Sequence, residues 1–232
     1  MGRIMQKRLI RKLDLEMLLS KVEPHPSPKP SLEQYTIPAD VAATILYIAA
    51  YTHNDVVDKT VLDLGCGTGR LALGAAFLGA KQVVGVDIDT TAIKVAYENS
   101  VKTGLKNRLQ WIAADIDVVH GKFDTVLQNP PFGVQRRKAD RKFLEKALEV
   151  GEVIYSLHKS SCKDKTFIKK LKTRGTNIVW VSPSSFIEKF VGEHGGTIMA
   201  VYAMLMTIPR MFNFHTKRKH EFVVDLYVIK GK

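Results

Sequence analysis

The tetrapeptide Asn129-Pro130-Pro131-Phe132 joins an amide side chain, two rigid rings and a planar face, a set suited to activating a poor nitrogen nucleophile. An exocyclic amino group or a carboxamide nitrogen attacks weakly because its lone pair is delocalised. The Asn129 side-chain oxygen and the Pro130 carbonyl can both accept hydrogen bonds from one NH2 group and localise its lone pair toward an electrophilic methyl. Neither acceptor need be a general base, because the proton can leave to water after transfer. The two prolines pre-organise the loop, and Phe132 offers a face for stacking a planar base. Taken alone, Asn-Pro-Pro is also a common loop breaker, and a Phe beside it is often core.

A second motif supplies the context. Val61-Leu-Asp63-Leu-Gly65-Cys-Gly67-Thr68-Gly69-Arg70 follows a strand and opens a helix, the setting of a nucleotide-binding turn. Arg70 stands where the dinucleotide fingerprint needs its third glycine, and there is no GK[ST] ending of a phosphate loop. The D-x-G-x-G-x-G spacing suits a ligand without phosphate. Its glycines allow close backbone approach, and the Asp63 carboxylate faces a cationic amino acid moiety. S-adenosylmethionine (SAM) is such a ligand. The next strand ends at Asp87, where a carboxylate can accept two hydrogen bonds from ribose hydroxyls. Asp115, after the third strand, is placed to meet an adenine amino group. A lone glycine cluster is often only a tight turn. Here three strand ends supply spaced partners, which favours a cofactor site.

These residues need strand ends to hold them. Thr60–Leu64, Gln82–Val86, Leu109–Ala113, Phe123–Leu127, Val153–Ser156 and Asn177–Val181 read as strands, with helices after the first, second, fourth and fifth. Thr197–Thr207 and Glu221–Ile229 are strand-like with no clear helix between them. The expected class is α/β: a doubly wound, mostly parallel seven-stranded sheet with helices on both faces and an antiparallel edge. Residues 3–20 read as a basic amphipathic helix, and Glu23–Pro30 as an extended Pro-rich linker. The expected organisation is therefore a decoration over 1–30 and a SAM-dependent methyltransferase domain over 31–232. Ser182–Gly196 receives no element.

The chain has 35 Lys and Arg against 23 Asp and Glu, a net charge of +12. Such an excess favours polyanion partners, nucleic acid before membrane. A solvated basic surface would account for it equally well. Apolar content of 45% is too high for disorder, and no charge-free apolar run has membrane-spanning length. Cys66 and Cys162 cannot by themselves frame a disulfide scaffold or a zinc site, which points to a reduced, cytoplasmic protein. Arg136, Arg137 and Lys138 follow the Asn129 loop, so they are expected at the cleft rim, holding phosphates around an extruded nucleotide. His158 and Lys159, at the end of the fifth strand, are read as RNA contacts rather than caps of buried polar groups. His215 is read as structural, and no metal is expected.

Asp63–Gly69 together with Asn129–Phe132 resembles the class I SAM-dependent amino-methyltransferases. Leu32-Glu33-Gln34-Tyr35, Tyr155–Ser160, Phe214-His215 and Val224-Asp225-Leu226 are similar to one branch. That branch is the archaeal and eukaryotic family (methyltransferase-like protein five) that makes N6-methyladenosine in small-subunit ribosomal RNA. The resemblance covers nearly the whole chain and thins at Ser182–Gly196. It implies cofactor contacts from Gln34, Gly65, Thr68, Asp87 and Asp115, with Gln34 and Thr36 in a segment that closes over SAM. Thr68 stands where the family often has Cys, and Ile37-Pro38 departs from the usual Thr-Arg-Pro order. The resemblance also implies that the third strand is a sheet edge, open to strand addition by a small zinc-binding activator subunit. Three rivals stand beside this reading: a protein-glutamine N5-methyltransferase, a DNA adenine methyltransferase and an inactive RNA-binding module. The first usually has Tyr in place of Phe132 and a separate helical domain, for which this chain leaves little room.

Overall fold

A computed structural model describes residues 9–132, 139–160, 162, 167, 171, 178–209 and 219–232. Arg136, Arg137, Lys138 and His215 lie outside the described residues.

The strands are β1 (Thr60–Leu64), β2 (Gln82–Asp87), β3 (Leu109–Ala113), β4 (Phe123–Gln128), β5 (Gly151–Lys159), β6 (Ile178–Trp180), β7 (Thr197–Pro209) and β8 (Lys219–Lys230). They form one sheet in the order β3-β2-β1-β4-β5-β8-β7-β6. The first five run parallel, and β8 enters antiparallel between β5 and β7. The expected seven-stranded sheet is corrected to eight: all eight strand segments read from the sequence join it, Asn177–Val181 as the short strand Ile178–Trp180, antiparallel to the outer side of β7. β1 from Val61 to Leu64 and β4 from Thr125 to Gln128 are buried at every position, the pattern of strands covered on both faces. β1 lies between β2 and β4, so the strand order reverses there, and the carboxyl ends at that reversal open the crevice in which such sheets bind ligands.

Helices cover both faces. On one side α1 (Lys12–Ser20), α2 (Ala39–Tyr47) and α3 (Arg70–Leu78) share an apolar layer. Gly74 of α3 lets α2 approach closely, since a Cβ there would lie 2.2 Å from Leu46 Cδ1. The N-terminal segment is not a loose decoration: Leu15, Leu19 and Val22 are buried in this layer. On the other face, α5 (Ala139–Val150) and α6 (Ser185–Glu193) bury Leu144, Leu148, Ile187 and Val191. α6 occupies the segment left without an element. Its signals were local ones: Ser184 caps it by accepting from Ile187 N, and Ile187 and Val191 recur at helical spacing. α4 (Thr90–Lys102) packs against β2 and β3.

β3 is an edge strand. Ile112 is exposed there, while Trp111 turns inward to the Gly69 turn and Gly85.

Candidate active site

The glycine turn is tied to the neighbouring strand before any ligand is considered. Gly65 N and Cys66 N both donate to Val86 O, at 2.8 and 3.0 Å. Gly67 N donates to Asp87 Oδ2 at 2.8 Å, and Asp87 Oδ1 accepts from Asp89 N. Gly65 and Gly67 have φ of 74° and 53°, a region that L side chains avoid. A Cβ on Gly65 would lie 2.6 Å from Phe143 Cε1, whereas one on Gly67 would meet nothing within 4 Å. Gly67 thus faces open space at the floor of a cleft. Asp63, Thr68, Asp87 and Asp115 line that cleft, as do Gln34, Thr36, Gly65, Asn129 and Pro131.

Its electrostatics are those of a site short of positive charge. Asp63 is buried, and burial pushes its carboxyl up to about 7; neighbouring Asp87 adds to this, and a 2.9 Å bond from Ala72 N opposes it. Burial also raises the Asp87 carboxyl from its ordinary value, against its two backbone bonds. Asp115 is held low by Lys142, whose Nζ lies 2.9 Å from its Oδ1. Two carboxylates pushed toward neutrality in one cleft are relieved by a ligand that brings a cation.

The acceptor side is formed by the end of β4. Asn129 Oδ1 is buried and has no hydrogen-bond partner. Pro130 is buried, and Phe132 is half-buried and meets Phe222 edge-on with centroids 5.8 Å apart. Beneath them runs a buried chain in which Gln128 Nε2 donates to Ser156 Oγ at 2.8 Å and Ser156 Oγ lies 2.7 Å from His158 Nε2.

That chain corrects one expectation. His158 is 6% exposed and presents no surface to a polynucleotide backbone. Burial pushes its pKa down to about 4, so the ring is a neutral internal partner. Lys159, one residue on, is exposed. Gly69 is buried at the start of α3, outside the cleft lining. Sequence reasoning missed Lys142 and Phe143 of α5 and His25 of the Pro-rich segment, all of which line the cleft. Nothing in their local sequence marks them, because each arrives from a distant element.

The residues fit SAM. The open cradle at Gly67 admits a ligand against the backbone, and the under-neutralised Asp63 and Asp87 match an ammonium group and ribose hydroxyls. Fold and site together define a class I SAM-dependent methyltransferase.

Comparisons agree. The family model of the ribosomal protein L11 methyltransferases matches residues 41–130. An rRNA N6-adenosine-methyltransferase of Drosophila melanogaster, Mettl5, is 32% identical, over 92% of this chain and 93% of its own length. The METTL5 of Danio rerio is 31% identical, over 91% and 95%. A crystal structure of a candidate RNA methyltransferase from Pyrococcus horikoshii superposes with a TM-score of 0.79 at 35% identity, over 97% of this chain and 99% of that one. The fold alone is shared with a Synechocystis magnesium protoporphyrin IX methyltransferase with bound SAH, at 18% identity, TM-score 0.59, over 83% and 82%. The chain belongs to the METTL5 family of rRNA N6-adenosine-methyltransferases.

Proposed function

We propose that the chain transfers the methyl group of SAM to the N6 amino group of an adenine in small-subunit ribosomal RNA. The observation that carries this is Asn129 Oδ1, a buried acceptor with no partner in the same cleft as Asp63 and Asp87. A buried, unsatisfied acceptor costs about 1–3 kcal/mol, and an incoming NH2 group supplies the missing donor. When bound, SAM supplies an electrophilic methyl. Asn129 Oδ1 and the Pro130 carbonyl hold the amino hydrogens, Phe132 stacks on the base, and the proton leaves to water. Gln34, Thr36, Asp63, Gly65, Gly67, Thr68, Asp87 and Asp115 form the cofactor side, with Gly69 shaping the turn behind them and Pro131 stiffening the loop between the two halves. Arg136, Arg137, Lys138 and Lys159 hold phosphates.

Support for the acceptor comes from the relatives of Danio and Drosophila, whose names give rRNA adenosine N6 as their target. A protein N5-glutamine methyltransferase homologue of Methanocaldococcus jannaschii, 33% identical over 53% of this chain, supports the carboxamide rival. Incubation with methyl-labelled SAM and separate samples of small-subunit rRNA, DNA and total protein decides between them. Label on adenine N6 of the rRNA is the expected result, and label on a glutamine side chain would overturn it.

The partner reading rests on the β3 edge. Ile112 is exposed on β3, and Tyr97 and Val101 are exposed one turn apart on the adjoining α4. An apolar edge with no Lys or Pro invites an added strand, here from a small zinc-binding activator protein. Among the described residues no helix is long and apolar enough to cross a membrane.

A further inference from the structure

The segment from Val22 to Ile37 crosses the cofactor cleft, and His25, Gln34, Tyr35 and Thr36 line it from above. The strap is fastened by side chains of α3 and α4 and of the turn before α4. Arg70, the residue in place of the third fingerprint glycine, donates from Nη1 to Ile37 O and from Nη2 to Val22 O, at 3.0 Å for the latter. One guanidinium therefore clamps both ends of the strap to the first turn of α3. Asn99 of α4 is buried and reinforces the first end. Its Oδ1 accepts from Glu23 N at 3.0 Å, and its Nδ2 donates to Glu23 O and to Thr68 O of the glycine turn.

The middle of the strap is held by Asp89, two residues beyond Asp87. This buried carboxylate accepts from Gln34 Nε2 at 3.0 Å on Oδ2 and from Thr91 N at 2.9 Å on Oδ1. Lys29 Nζ lies 3.2 Å from it and His25 Nε2 3.5 Å. Gln34 Oε1 is occupied in turn by Lys29 N at 2.8 Å, so the Gln34 amide is oriented from both sides. Seated on the strap, His25 Nδ1 accepts from Ser27 N at 3.0 Å, which leaves Nε2–H facing Asp89. These bonds tie the strap to the first turn of α3 and to the N-terminal end of α4.

We propose that Arg70 and Asp89 are positioning residues for cofactor retention, holding residues 22–37 as a strap over SAM and thereby setting how slowly SAM and its product leave. The strap acts on cofactor exchange and not on the acceptor, so it rests on SAM binding alone and is independent of the rRNA reading.

Hydrogen exchange on the cofactor-free full chain reads the strap directly. Arg70→Ala raises exchange across residues 23–36 and leaves β4 and β5 protected. Asp89→Asn, which keeps an oxygen to accept from Thr91 N, raises it around Gln34. Displacement of bound SAM in a stopped-flow instrument is then faster by on the order of tenfold in either variant, the loss of charged hydrogen bonds. The KM for SAM rises while kcat at saturating SAM stays within about twofold. Arg70→Lys, with one donor centre for two carbonyls, falls between wild type and Arg70→Ala. Should Arg70→Ala fail to fold, Asp89→Asn and Arg70→Lys carry the test. Unchanged strap exchange in a folded variant overturns the proposal, and so does unchanged SAM release where strap exchange has risen. A wild-type chain that binds no SAM would instead overturn the cofactor assignment, with the exchange data still reporting on the strap.

Discussion

The indole of Trp111, on the edge strand, lies so close under the cofactor turn that a Cβ built on Gly69 would fall 2.4 Å from its Cη2. The same ring would meet a Cβ on Gly85 at 2.4 Å. One side chain of β3 thus sets the height of the glycine turn, and the sheet edge is mechanically continuous with the floor of the SAM cleft. Gly69 also has φ 86°.

Gly69→Ala therefore meets both a backbone penalty and a clash, together about 2–4 kcal/mol. Thermal melts should show a larger loss for Gly69→Ala than for Gly67→Ala, whose Cβ would meet no protein atom within 4 Å but would stand in the cofactor cradle. Equal effects at the two positions would count against the Trp111 contact.

Asn129→Ala should reduce methyl transfer by at least about 100-fold, the scale of losing one pre-organised transition-state partner. SAM affinity should remain within about twofold, because the lost oxygen acts on the acceptor. Single-turnover transfer and equilibrium titration separate the two, and near wild-type turnover would refute the nitrogen-acceptor mechanism.

Asp63 gives a pH signature in the cofactor-free protein. Its folded pKa of about 7 lies above the unfolded carboxylate value. The neutral acid thus favours the fold below about pH 4, and that contribution is lost as pH rises through 7. SAM should reverse the trend. A cationic ligand favours the ionised form, so affinity climbs between pH 5 and 7 by up to about tenfold per unit, with proton release. Calorimetry in buffers of different ionisation enthalpy reads this directly, and Asp63→Asn should flatten it.

His158 has the opposite sign. Its folded pKa of about 4 lies below that of an unfolded histidine. The neutral ring contributes stability above about pH 6.5, and as pH falls through 4 up to about 3 kcal/mol of it is lost. His158→Gln should blunt the acid limb of a stability–pH curve. RNA affinity at pH 7 should be unaffected, since the ring is buried.

Ala114 N donates to Asp87 O, so the alternation of a parallel ladder turns the Ala113 N–H away from β2. If the proposed strand addition at β3 is right, Ala113→Pro removes an outward donor and weakens assembly with a co-expressed activator subunit, read by size-exclusion, while SAM binding persists. A complex formed as well by Ala113→Pro as by wild type would place the partner elsewhere.

Contiguous residues by themselves determined the alternation of β1 to β5 with their helices, the glycine turn from Asp63 to Gly69 and the loop at Asn129. Each is a short-range pattern: an apolar run, a turn chemistry, a strand end. α6 carries local signals as well, in the Ser184 cap and the helical spacing of Ile187 and Val191. Only the tertiary structure decided that His158 is an internal group, that Ile178–Trp180 joins the sheet as an eighth strand, and that α5 sends Lys142 and Phe143 into the cleft. It also decided that Arg70 and Asp89 fasten a proline-rich segment over the cofactor. Those facts depend on groups far apart in the chain, such as Lys142 with Asp115, 27 positions away, or Gln34 with Asp89, 55 positions away. Which distant groups meet is set by strand order and by the stacking of α1 to α3 on the sheet. No local periodicity records that geometry.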